Sequence, residues 1–206
     1  MIIDWVKFAP ALLLILLPIG LFHGKKTRFR YISREWDDHW PQILTLGLHW
    51  IDLGRAIIGA WWLSESLKLG NSAVGIERYG VPLITATVFT LGVLLQTFVC
   101  KERDSANAPF MFVTGLALGF YAPATAGFPI LLALTIACGA RSPVTYFPLL
   151  AVGVMGGGYV FEGKPAMLKI CLTASALMLP WLLTLMFGRD LVITYRAKRP
   201  GKDGVA

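Results

Sequence analysis

One apolar stretch, "PQILTLGLHWIDLGRAIIGAWWL", carries three ionisable side chains close together, His49, Asp52 and Arg55. At 100° per residue a helix places Gln42, Thr45, His49, Asp52, Ala56 and Gly59 on one stripe, with Arg55 at its edge. Asp52 and Arg55, three apart, pair directly, and His49 reaches Asp52 from one turn away. A carboxylate with a fixed cation and a titratable imidazole is what a proton or ion path requires. The same three groups also make a buried ion pair that fixes helix packing and partner choice, and this is the leading expectation. A contact to another subunit, a lipid headgroup or a pigment is the remaining use of the stripe.

Two other constellations invite chemistry. His23, His39 and His49 raise haem or metal ligation, but only His49 lies deep in an apolar run, whereas membrane haems are held by paired histidines inside facing helices. In "EWDDH" the carboxylates of Glu35, Asp37 and Asp38 suit a hard divalent cation; the preferred reading is a helix start capped by Ser33 with its acids on the favourable end of the dipole. Cys100, Cys138 and Cys171 are far apart, without CxxC or metal spacing, and are expected to be small buried apolar residues. No GxSxG, HExxH, P-loop or dinucleotide motif occurs. No cofactor is assigned, and a non-enzyme is expected.

The elements that position these residues follow from composition. Of 206 residues 56% are apolar and 15% charged, and the apolar ones form long unbroken runs. Lipid is the solvent such a chain requires. The net charge of +7 sits mostly at the ends of those runs, in "GKKTRFRYISR", "KERD" and "RAKRPGK", where anionic headgroups account for it and nucleic acid does not. The first run lacks a positive n-region and a small-residue cleavage pattern, so it reads as a retained helix.

The expected fold is an all-α integral membrane protein, a polytopic bundle of about seven transmembrane helices. Spans are placed near 3–22, 41–63, 81–100, 107–122, 127–140, 144–161 and 166–187, forming a single domain over 1–190. The run 109–140 is too long for one span and short for two. "APATAGFP" breaks it at its centre, so two short helices are preferred to a single or re-entrant segment, which would reduce the total to six.

Counting bases sets the orientation. With seven spans and the N-terminus outside, the segments left inside carry thirteen Lys and Arg against five outside; merging 109–140 into one span brings the tally close to even. N-out and C-in is therefore the expected topology. Segment 24–40 becomes a cytoplasmic interfacial loop with a short helix after Ser33, and 191–206 a basic, disordered cytoplasmic tail. Trp5, Trp36, Trp40, Trp61, Trp62 and Trp181 fall toward span ends, while Trp50 does not. No Lys stands midway along the last span, which leaves no attachment point for retinal.

Gly115 with Gly119, and Gly153 with Gly157, are spaced as GxxxG and let helix backbones approach closely, within the chain in preference to between chains. The leading functional expectation is a non-catalytic subunit of a larger membrane assembly in a bacterial cytoplasmic (inner) membrane. Its partners would be lipids and other membrane subunits or copies of itself. A small transporter or channel built on Asp52, Arg55 and His49 is the alternative. A lipid-modifying enzyme using Glu35, Asp37 and Asp38 comes third.

Overall fold

The computed structural model describes residues 2–18, 27–31, 47–68, 77–98, 105–140, 142–188 and 190–196. Over these the chain is mostly helical, with two small sheets at the helix ends. Strand β1 (Ile2–Ile3) leads into α1 (Trp5–Leu16), where the Asp4 side chain caps the start by accepting the Val6 N–H at 3.1 Å. The expected span 3–22 is far longer than this helix. Leu17 precedes Pro18, whose ring disfavours helical backbone at the residue before it, and Leu17 turns extended at φ −70°, ψ 111°. Twelve residues rise only about 18 Å, so α1 stops partway along its neighbours.

Strand β2 (Thr27–Tyr31) follows, in the segment expected to be a loop and interfacial helix; the proposed helix after Ser33 lies outside the described residues. Helix α2 (Gly47–Ser66) runs into β3 (Leu67–Lys68), which pairs antiparallel with β1 through Ile2↔Lys68 and Ile3↔Leu67. Helix α3 (Glu77–Phe98) is followed by β4 (Ser105–Asn107). The run 109–140 forms two helices, α4 (Phe110–Phe120) and α5 (Pro123–Gly139). Their break falls at Tyr121–Ala122, ahead of the expected one, because Pro123 occupies the first helical turn, where its missing N–H costs nothing. Pro129 is accommodated inside α5.

A 3-10 turn (Pro143–Thr145) enters α6 (Tyr146–Phe161), and a second (Lys164–Ala166), preceded by Gly163 at φ 76°, enters α7 (Met167–Leu177). The last expected span, 166–187, is two helices bent by 48°: Pro180, at the start of α8 (Leu179–Phe187), cannot donate to the preceding turn. Strand β5 (Asp190–Arg196) then pairs antiparallel with β2, Phe29 facing Thr194, and parallel with β4, Ala106 facing Leu191. The chain beyond 191, expected to be a disordered tail, thus begins as the central strand of a sheet. The ladder supplies main-chain partners that composition does not reveal.

Helix α2 packs most extensively on α4 and also holds α1; α5 packs on α6, and α3 runs between α1 and the α7–α8 pair. The core mixes small, aliphatic and aromatic side chains, including Ala56, Ala60, Phe89, Phe112, Leu116, Phe147 and Leu150. Helix α3, over Tyr79–Phe98, is long and apolar enough to cross a membrane, and so is the bent α7–α8 unit taken as one span. Helices α1, α4, α5 and α6 are apolar but shorter. Helix α2 has 20 residues but includes Asp52, Arg55 and Glu65.

Candidate functional site

Because α1 ends at Leu17, its last carbonyls are left within reach of α2 and of the last turn of α3. The final C=O groups of a helix have no intrahelical donor, and they concentrate its negative dipole. Arg55 on α2 reaches them. Its Nη1 donates to the Leu14 carbonyl at 2.7 Å and to that of Leu17, while Nε donates to Asp52 Oδ1 at 2.6 Å and Nη2 lies 2.5 Å from the same oxygen. The guanidinium carbon stands 5.0 Å over the Phe112 ring of α4.

The polar seam continues beyond Arg55. Gln96 of α3, only 2% exposed, donates from Nε2 to the Leu17 carbonyl at 3.1 Å, and Asn107 of β4 donates from Nδ2 to the Gln96 carbonyl at 3.2 Å. One seam therefore ties α1, α2, α3 and β4 together, with Asp52 at 5% exposure on its α2 side. His49 lies half-buried on α2, one turn before Asp52. Of the expected stripe, Asp52, Ala56 and Gly59 are buried on α2 and His49 is half-buried; Gln42 and Thr45 lie outside the described residues, as do Glu35, Asp37, Asp38, His23 and His39. Among the described residues no three of His, Cys, Asp or Glu gather closely enough to hold a metal ion.

The glycine pairs each meet a neighbouring helix of the same chain. A Cβ on Gly115 would sit 2.6 Å from the Leu53 carbonyl and 2.7 Å from the Ala56 Cβ, and one on Gly119 would collide with the Ile57 carbonyl, all on α2. On α6 a Cβ at Gly153 would sit 2.8 Å from Pro129 Cβ, and one at Gly157 3.2 Å from the Thr125 carbonyl, both on α5. Three further glycines escape spacing-based reading. Gly59 and Gly92 close on Ile15 of α1 from either side, and Gly158 closes on Ile170. They are not paired as GxxxG in their helices, so only the mating helix reveals them.

Pairs of buried hydroxyls hold the rest of the bundle. Thr114 and the Tyr146 hydroxyl are 2.6 Å apart between α4 and α6, and the Tyr121 hydroxyl and Thr173 are 2.5 Å apart between the α4–α5 turn and α7. Phe110 stacks on Phe147 at 4.8 Å beside the first of these, and the Lys169 ammonium lies 4.2 Å over the Phe120 ring near the second. Cys138 and Cys171 are free thiols and exposed, against the expectation of burial, and Cys100 lies outside the described residues; an apolar run does not by itself say which of its positions face the core.

The Arg55 carbonyl contacts were the least legible part of this site. Leu-Pro at 17–18 and the lone Gln96 in an apolar run were the available signals, but neither names its partner. No family of known proteins, no curated protein and no solved structure matches the chain.

Proposed function

We propose that the chain is a multi-pass membrane protein of about seven spans, N-terminus outside and C-terminus inside, serving as a non-catalytic subunit of a larger membrane assembly. The observation that carries the membrane part is the surface. Leu13, Ile51, Leu131, Val160 and Met186 each expose more than 60% of their area, on five different helices, whereas the carboxylate of Asp52 is turned inward. That inversion suits hydrocarbon and not water.

Strand pairing supports the crossing pattern, while the count of bases carries the orientation. On the seven-span reading β2, β4 and β5 all follow inward crossings, and β1 and β3 both lie outside; the two sheets pair these groups and never mix them. Strands β4 and β5 are adjacent, so an even number of crossings must separate them. Two spans in 109–140 satisfy this, as does a re-entrant hairpin, and a single span does not. The α7–α8 pair then acts as one bent span.

The non-catalytic part rests on Arg55, whose Nε donates to Asp52 and whose Nη1 donates to the end of α1, which makes the polar stripe a structural pin. The glycine pairs are used within the chain, so a partner must bind elsewhere. The adjacent outer faces of α5 and α6 offer Gly127 and Gly156, each with open space around it, beside Phe128 and Tyr159. Purification in mild detergent tests this: a co-purifying membrane protein or a defined homo-oligomer is expected, and a monodisperse monomer alone contradicts the subunit reading.

A second reading, a small transporter or channel, draws on the half-length α1. Free helix ends build ion sites in transporters, and this one lies beside the Asp52–Arg55 pair. Flux into liposomes decides it. Transport that is lost or changes its pH dependence in Asp52→Asn favours this reading; no flux in the wild-type protein removes it.

A further inference from the structure

We infer that the oxygens around the Arg55 guanidinium form a cation site for which the chain supplies its own ligand. Asp52 Oδ1, the Leu14 carbonyl and the Leu17 carbonyl converge on one planar cation, and the Phe112 ring face covers it at 5.0 Å. A full negative charge from the acid adds to the negative end of α1, and an aromatic face favours a flat, weakly hydrated cation over a compact one. Two of the three oxygens are backbone. Their positions are set by the end of α1 before Pro18 and, for Leu17, by the Gln96 donor at 3.1 Å, so most of the cage does not depend on Arg55 being present. The ligand class is thus a guanidinium-type organic cation.

This inference goes beyond the subunit reading and does not need it, since it requires only the packing of α1, α2, α3 and α4. Removing the Arg55 stem leaves a void with the same oxygens, into which methylguanidinium fits where the side chain was. In the wild-type protein the site is filled and added cation finds no place.

The test is thermal unfolding of the full chain in detergent, with methylguanidinium at millimolar concentration compared with equal sodium or tetramethylammonium chloride. Arg55→Ala is expected to gain on the order of 3 °C from methylguanidinium alone, as binding to the folded state at several times the dissociation constant implies. The wild type gains nothing. Asp52→Asn combined with Arg55→Ala loses at least half of the gain, because the charged oxygen is gone. If Arg55→Ala is extracted unfolded, methylguanidinium present during extraction must restore the folded fraction, and Arg55→Ser, which also empties the space of the stem, is measured in the same way. Equal gains in wild type and variant, no gain in Arg55→Ala or Arg55→Ser, or no restoration on extraction would each overturn the inference.

Discussion

At the scale of single residues, Arg55 does more than neutralise Asp52. A buried ion pair replaced on both sides by apolar groups often loses little stability, whereas removing one partner costs about 3 to 5 kcal/mol. Here the pair cannot be deleted neatly, because the Leu14 carbonyl would lose its Arg55 donor as well and the Leu17 carbonyl would keep only that of Gln96. Asp52→Ala is expected to lower stability by about 3 kcal/mol, and adding Arg55→Ala to it should not restore the loss; denaturation of both variants in the same detergent checks this. The glycines offer a complementary contrast. Gly119→Ala forces a methyl into the Ile57 carbonyl of α2 and should cost about 1 to 3 kcal/mol, while Gly156→Ala meets open space and should be neutral or stabilising by up to about 1 kcal/mol. Similar melting points for those two variants would contradict the α2–α4 contact.

At the scale of elements, proline sets where helices stop. Pro18 shortens α1, Pro123 opens α5, and Pro180 bends the α7–α8 unit by 48°. At the first of these breaks the freed carbonyls of α1 are taken up by Arg55 and Gln96. The sheet of β2, β5 and β4 adds the longest-range constraint, joining residues 27–31 to 190–196. Its register is testable with paired cysteines in a background where Cys100, Cys138 and Cys171 are Ser. Phe29→Cys with Thr194→Cys, directly opposed, should cross-link on mild oxidation. Arg28→Cys with Thr194→Cys, one residue out of register and on opposite faces of the sheet, should not.

At the scale of the whole molecule, the proposed topology predicts which side each sheet occupies. A single cysteine at Ile2 should react with an impermeant maleimide from outside intact cells, and one at Arg196 only after the membrane is opened. Reaction of both from the same side would refute the seven-crossing arrangement. A cysteine at Ala122 separates two spans from a re-entrant hairpin, since only the former brings the α4–α5 turn to the outer face.

From the amino-acid order alone came the helical character of the chain, the clustering of His49, Asp52 and Arg55 on one helix face, and a break inside 109–140. All three follow from local rules: hydropathy, the 100° step and the missing proline N–H. Tertiary structure decided what that local reading cannot supply. It set the partners of Arg55, because a carbonyl becomes a ligand only when another helix approaches it, and the roles of Gly59, Gly92 and Gly158, because close approach belongs to two surfaces at once. It also made strands of 27–31 and 190–196, since a ladder hydrogen bond satisfies main-chain groups whose partner lies more than 150 residues away.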